Sequence, residues 1–346
     1  MNALILNFAG VGDGLIELPF LLSLEQSLPA VRYFHTAGIF FREARLIQVF
    51  GLRSLLGLVP DDWRKFRAAD WETIIHFIRE QKIEVIINLR IVAPDYARDY
   101  FSFKAQYARD LDFWDLSAPA GDCAKRGIRA RLGAMFQSHL ALRGKPHVHP
   151  LQQAFRAWAG RGRGTIGINI HSGSAFKLWS MQKWRELCAE LARSGLTLAV
   201  FPGHTAQEQE RAAELLAAIR RLFPCGVRLL PATDLCSTLE RLHELELIVT
   251  TDSWVVHAAT ALRIDCVGLY LVTSPEMWGG ETDYSWPVVS RHLSECENFD
   301  PHLGICRNGY QDCRLIAQHG DGVEVEDVMR RVSELQLLRK RLPGGK

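Results

Sequence analysis

The chain has no run of about 20 uninterrupted apolar residues, the length a bilayer-spanning helix needs, and Asp13 and Glu17 interrupt its first apolar stretch. It also opens without the basic segment that begins a secretory signal. These two absences give the expectation of a cytoplasmic protein, with peripheral contact at the inner membrane left open. Nor is charge of either sign in surplus. Lys and Arg total 41 against 39 Asp and Glu, a formal net charge of +2. A concentrated basic face is what nucleic acid requires, so no nucleic-acid partner is expected. Low-complexity segments are absent, and the eight cysteines include no C-x-x-C pair.

Five of those cysteines (Cys123, Cys188, Cys225, Cys236 and Cys266) are scattered through apolar or helical surroundings and read as reduced thiols. Cys296, Cys306 and Cys313 cluster, with nine and six residues between them and His292, His302 and His319 nearby. Zinc and iron sites normally show closer pairs. A reduced, partly buried loop is therefore the expectation, and a structural iron or zinc on these three cysteines plus a histidine is its weaker alternative.

What is present is an α/β alternation. A length of 346 residues with 48% hydrophobic and 23% charged residues suits two soluble domains. Leu4–Phe8 reads as a buried parallel strand. Gly10, Gly12 and Gly14 then read as a turn, followed by a helix with Pro19 in its first turn. "VRYFHTAG" is a second strand, and "DWETIIHFIREQKIEVIINLR" is a helix with a strand at Glu84–Asn88. The second half repeats the rhythm from "TIGINIHSGS" to "CVGLYL". Ser180 is the expected N-cap of one helix and Gly195 its end, Ser237 and Glu240 form a capping box, and "VEVEDVMRRVSELQLLRKRL" is the last helix. The spacing predicts Rossmann-like, doubly wound domains at 1–155 and 156–325, and a helix and tail at 326–346 that packs back on the first domain. The turn residues of 145–164 mark the seam.

In doubly wound sheets ligands sit at the carboxyl ends of strands. Those ends carry His171-Ser172-Gly173-Ser174 with Lys177, then Phe201-Pro202-Gly203, then Thr251-Asp252-Ser253 with His257 in the next helix. Hydroxyls at a helix start beside a lysine suit a diphosphate, because free N–H groups and the helix dipole favour an anion. Ser253 as an ordinary cap and His257 as a core histidine are the plain alternatives. In the first half, Asp13 stands at the carboxyl end of the first strand, where a base would face a crevice.

These motifs resemble glycosyltransferase family nine, the ADP-heptose–lipopolysaccharide heptosyltransferases. The family's opening Gly-Asp pair, with a proline six residues after the aspartate, is matched by Gly12-Asp13 and Pro19. Its His-x-Gly-Ala/Ser loop, Lys-x-Trp and Trp-x-x-Leu are matched by His171 to Ser174, Lys177 to Trp179 and Trp184 to Leu187. "TDSWVVHAATAL" matches the family hallmark, and "VTSPEMWGG" a later turn. The resemblance implies the two-domain GT-B fold, with the domains facing across a cleft, the first binding acceptor and the second donor. It further implies an inverting sugar transfer, with heptose the leading sugar and ADP-heptose the leading donor. The acceptor would be a hydroxyl of a cell-envelope glycan, glycolipid or protein, as in lipopolysaccharide biosynthesis.

Asp13 would then be the general base, with Gly10, Gly12 and Gly14 forming an acceptor-side loop. Lys177 would steady the leaving diphosphate, with His171, Ser172, Gly173, Ser174, Thr251, Asp252, Ser253, Trp254 and His257 around the donor. Phe201, Pro202 and Gly203 would lie near the base, and Glu208 near the ribose. No cofactor is implied as required. Three features depart from the pattern: Trp254 replaces the hallmark glycine, no basic residue precedes Gly12-Asp13, and residues 91–150 have no match. Trp254 and the missing basic residue keep in view a non-catalytic nucleotide-sugar-binding or assembly subunit, and a sugar-nucleotide epimerase of the same fold is a further alternative, one the hallmark argues against.

Overall fold

Short apolar strands, each followed by a helix-forming stretch, bury both faces best as a parallel sheet with helical crossovers. The computed structural model describes residues 1–6, 10–36, 57–59, 71–89, 94–115, 128–140, 164–232, 234–280, 282–301, 304–306, 313, 316 and 320–341. It separates the chain into two compact units, Met1–Pro150 and Leu151–Lys346. Of the expected seam, residues 145–163 lie outside the described residues.

The first unit runs β1 (Asn2–Leu6), α1 (Val11–Ser27), β2 (Arg32–Thr36), β3 (Gly57–Val59), α2 (Trp71–Glu80), β4 (Val85–Asn88), α3 (Pro94–Tyr107), β5 (Asp112–Asp115) and α4 (Ile128–Leu140). Its strands lie in the order β3-β2-β1-β4-β5, and every pairing is parallel. Leu4, Leu6 and Ile86 pack with Ile74, Ile75 and Ile78 of α2, with Tyr100 and Phe103 of α3 completing the cluster. The described part of the expected first strand ends at Leu6, since Asn7 and Phe8 lie outside the described residues.

The second unit begins with β6 (Thr165–Asn169), a 3-10 turn (Ala175–Lys177), α5 (Met181–Arg193), β7 (Thr197–Val200), α6 (Ala206–Leu222), β8 (Val227–Leu229) and α7 (Leu235–Leu242). It continues with β9 (Leu247–Thr251), α8 (Trp254–Ala261), β10 (Asp265–Tyr270), α9 (Pro275–Trp278), β11 (Ser285–Val289), β12 (Phe299–Asp300), β13 (Ile305–Cys306) and α10 (Val325–Arg341). The six-stranded sheet has the order β11-β10-β9-β6-β7-β8, with parallel pairings throughout. Both units are thus doubly wound α/β sheets, as the alternation of strands and helices predicts.

Two tryptophans of the family-like motifs prove to be core. Trp179 and Trp184 pack edge to face, with centroids 5.0 Å apart, and Trp179 Nε1 donates to the Val323 carbonyl at 3.0 Å. Lys183 Nζ lies 2.7 Å from Asp321 and 3.1 Å from Glu324. Val325, Val328, Val332 and Leu335 join the core of the second unit. The described side chains of α10 therefore belong to this unit, where the sequence reading set the helix apart.

Helix ends follow local chemistry. Ser180 caps α5, accepting the Lys183 N–H at 3.1 Å, and Gly195 takes φ +79° just beyond its end. The cap of α7 differs from expectation. Asp234, rather than Ser237, is the N-cap, and its carboxylate accepts the Ser237 N–H at 2.6 Å. A carboxylate competes well for that position because it also meets the positive end of the helix.

Candidate functional site

In the second sheet the order of connection reverses between β6 and β9, the position at which doubly wound sheets in general bind ligands beyond the carboxyl ends of their strands. Asn169, the last residue of β6, fixes its two sides. Its amide nitrogen lies 2.8 Å from Thr250 Oγ1, 3.0 Å from Ser253 Oγ and 3.2 Å from the His171 carbonyl. Thr251 Oγ1 donates to that same carbonyl at 2.6 Å, and Ser172 Oγ donates to the Asp252 carbonyl at 3.1 Å. The loops after β6 and β9 are therefore bound together by side chains from both strands.

Lys177 closes the 3-10 turn after β6 and extends its ammonium to Asp252, with Nζ 2.7 Å from Oδ2. Asp252 is 4% exposed, so the pair is shielded on the carboxylate side. The same oxygen accepts a hydrogen bond from Thr273 Oγ1 at 2.5 Å. A buried carboxylate with a lysine and a hydroxyl on one oxygen has its charge met and its lysine held in one place.

Ser253 is the N-cap of α8 and accepts the Val255 N–H at 3.4 Å. Trp254 is the first helical residue, and the positive-φ non-glycine residues among those described are Lys82 and Arg263. A tryptophan in place of glycine therefore costs no backbone strain here. Its ring lies 6.2 Å from that of His204, centroid to centroid.

Toward β7, His171 Nε2 lies 3.1 Å from the Phe201 carbonyl. A carbonyl only accepts, so Nε2 carries the hydrogen and Nδ1 the lone pair. Burial lowers the pKa of this imidazole and keeps it neutral, and Nδ1 is buried with no hydrogen-bond partner among the described residues. Gly203 takes φ +81°, and a Cβ there would stand 2.4 Å from Glu208 Cβ. That close approach lets Glu208 accept the N–H groups of His204 and Thr205 at 2.8 and 3.1 Å. Burial pushes the Glu208 carboxyl up, but these donors outweigh it and hold its pKa below the ordinary value. Its carboxylate thus serves the start of α6.

The remaining candidates are placed less centrally. Gly173 is exposed, Pro202 is half-buried, and the carbonyl of Ser174 accepts the Lys177 N–H at 3.1 Å. His257 is buried within α8. Thr250, at the strand end that the sequence marked, organises the site together with Asn169 and Thr273, which were not singled out by sequence. The turn motif "VTSPEMWGG" was the available signal for Thr273.

In the first unit, the glycine turn is corrected. Gly10 is the N-cap of α1, while Gly12, Asp13 and Gly14 already lie in its first turn and Pro19 lies inside the helix. Gly10, Gly12 and Gly14 are not among the described glycines with positive φ, so it is not conformational freedom that they supply. Asp13 Oδ2 accepts the Gly10 N–H at 3.1 Å, an acidic side chain at the favourable end of a helix. One turn on, Glu17 is 3% exposed. Burial, and then the charge of Asp13, raise its pKa well above the ordinary value.

A second polar group stands at the ends of β4 and β5. Asp115 accepts from Tyr100 and, at 3.3 Å, from Asn88, and its other oxygen is 2.5 Å from Lys104 Nζ. Neither Glu17 nor this group was singled out by sequence.

Among the described residues no three His, Cys, Asp or Glu side chains gather as a metal ligand set. Cys306 pairs with Phe299 in the β12–β13 hairpin, while Cys313 joins the apolar core. His302 and His319 lie outside the described residues. No described helix is long and apolar enough to cross a membrane.

Residues 139–301 match the model of Glycosyltransferase family 9 (heptosyltransferase). No curated relative matches the sequence. Among solved structures, the chain is similar to the Escherichia coli heptosyltransferase WaaC with ADP, at 18% identity and a TM-score of 0.61, over 96% of this chain and 99% of that one. It is also similar to E. coli ADP-heptose LPS heptosyltransferase II, at 16% identity and a TM-score of 0.59, over 98% and 100%. A third is the iron-containing dodecameric glycosyltransferase TibC of enterotoxigenic E. coli, at 14% identity and a TM-score of 0.59, over 99% and 80%.

Proposed function

We propose that the chain is a glycosyltransferase like the heptosyltransferases whose family model its residues 139–301 match, and that it transfers heptose from ADP-heptose, with inversion, to a hydroxyl of a cell-envelope glycan, glycolipid or protein. The observation that carries the donor half is the Lys177–Asp252 ion pair at the reversal point of the second sheet. A diphosphate there meets the ammonium of Lys177, the N–H groups that open α8 and the hydroxyls of Ser172 and Ser253. Asp252 holds Lys177 and Thr273 in register, so the positive charge is in place before the leaving group develops its own. WaaC bound to ADP and TibC bound to ADP-D-β-D-heptose support the choice of nucleotide and sugar.

For the acceptor half, Asp13 takes the proton from the attacking hydroxyl as its oxygen bonds to the anomeric carbon and ADP departs. The carboxylate stands at the positive end of α1 and accepts the Gly10 N–H. No metal is assigned to these steps.

The test is a calorimetric titration with ADP, UDP, GDP and CDP in chelator-containing buffer, repeated on Lys177→Ala. Selective ADP binding that weakens in the variant supports the reading. Preference for another nucleotide removes the ADP-heptose assignment, and absence of any binding removes the donor site.

A further inference from the structure

The ring contact between Trp254 and His204 joins two loops that do not leave neighbouring strands. Trp254 follows β9 and His204 follows β7, and β6 lies between those strands in the sheet. Adjacent strands stand about 4.8 Å apart, so the two loops start roughly 10 Å from each other. They meet at 6.2 Å between ring centroids, at an interplanar angle of 42°. The contact therefore spans the carboxyl end of β6, where the His171 loop emerges.

Both rings are held by their backbones. Ser253 caps the helix that Trp254 opens. Gly203, at φ +81°, turns the chain just before His204, and the His204 N–H is fixed by Glu208 at 2.8 Å. His204 is exposed and Trp254 half-buried, so aromatic surface remains toward solvent at the mouth of the crevice. A tilted pair at this spacing leaves no slot between its rings for a third plane, but it supports one laid on an outer face.

We propose that Trp254 and His204 form an aromatic platform on which the nucleobase of the donor stacks. The proposal rests on the donor reading above, in which the diphosphate lies at Lys177 and the start of α8. From there a nucleoside has one aromatic surface to bury, and Trp254 is the next residue after the Ser253 cap. A π-face binds any base and favours the larger ring system of a purine. Trp254 thus contributes base affinity at a position where the family's glycine contributes none.

The experiment compares ADP and inorganic pyrophosphate by calorimetry on the full chain and on Trp254→Leu, Trp254→Phe and His204→Ala. Trp254→Leu should weaken ADP by about tenfold or more while leaving pyrophosphate within about twofold. Trp254→Phe keeps a ring and should recover most of the loss, and His204→Ala should weaken ADP by a smaller factor. Unchanged or tighter ADP binding in Trp254→Leu overturns the platform while leaving the donor site standing. Equal weakening of ADP and pyrophosphate also overturns it, since the ring would then act at the phosphate end. Failure of the unmodified chain to bind ADP removes the donor reading, and the platform with it.

Discussion

The two sheets share one winding and differ in what they place at the point where it reverses. Between β6 and β9, the buried carboxylate of Asp252 meets a lysine and a threonine on one oxygen. Beside β1, Asp13 and Glu17 sit one turn apart on α1, and the charge of Asp13 adds to burial in raising the Glu17 pKa. One end is built from balanced charge and hydroxyls, which suits holding an anion. The other sets two carboxyl groups near each other, which suits moving a proton. The first unit also has a balanced pair, Lys104 with Asp115, but at the neighbouring strand ends. Parallel topology thus supplies the location, and the residues after each strand decide the chemistry.

The largest effect that would break this comparison comes from Asp13→Asn. Turnover should fall at least about 100-fold with ADP affinity unchanged. Full activity in that variant would place the proton-accepting group elsewhere. Next are the matched variants Lys104→Met and Lys177→Met, each of which leaves a buried aspartate without its lysine. Urea denaturation should show a loss of about 2 kcal/mol in both, below the figure for fully buried pairs because each lysine is partly exposed. Only Lys177→Met should also weaken ADP. Equal binding in the two variants would mean that the second sheet's pair is merely structural.

A smaller effect is expected from Gly203→Ala. A Cβ at φ +81° pressed against Glu208 should cost about 1–2 kcal/mol in thermal unfolding. The most gradual effect is one of pH. The folded state holds the Glu17 proton above the pH at which an unfolded glutamate releases it. Stability therefore declines as pH rises from the unfolded pKa, near 4.3, toward the raised folded value. Glu17→Gln should flatten that decline, so its advantage over the unmodified chain grows between pH 5 and 8. Parallel stability curves for the two proteins would show that Glu17 is ionised in the folded state.

What could be read from sequence was local or periodic. Ser180 and Gly195 bracket α5 because a cap and a left-handed glycine act within one turn. The strands from Thr165–Asn169 to Asp265–Tyr270 followed from apolar runs ended by polar residues. Their ends pointed to His171, Lys177 and Asp252, which the fold brings to one crevice. The start of α1 was misread because three alternating glycines suggest a turn, whereas Asp13 at the third helical position stabilises a helix that already includes two of them. Asn169 and Thr273 were not legible. Each acts on a residue at least 21 positions away, through strand order and not through spacing. Asp115 and Tyr100 likewise meet only once β5 and α3 have packed.

The stitching of β6 to β9 also sets a schedule for synthesis. Asn169 and Ser253 are 84 positions apart, so a ribosome adding 5–20 residues each second takes roughly 4–17 s to deliver the second after the first. Throughout that interval β6 has no β9 to pair with, and its buried polar end has none of its hydroxyl partners. On the donor reading, the nucleotide site stays incomplete until β9 and the start of α8 have left the exit tunnel. On that same reading, a bound ligand can stabilise only the last stage of this unit's maturation.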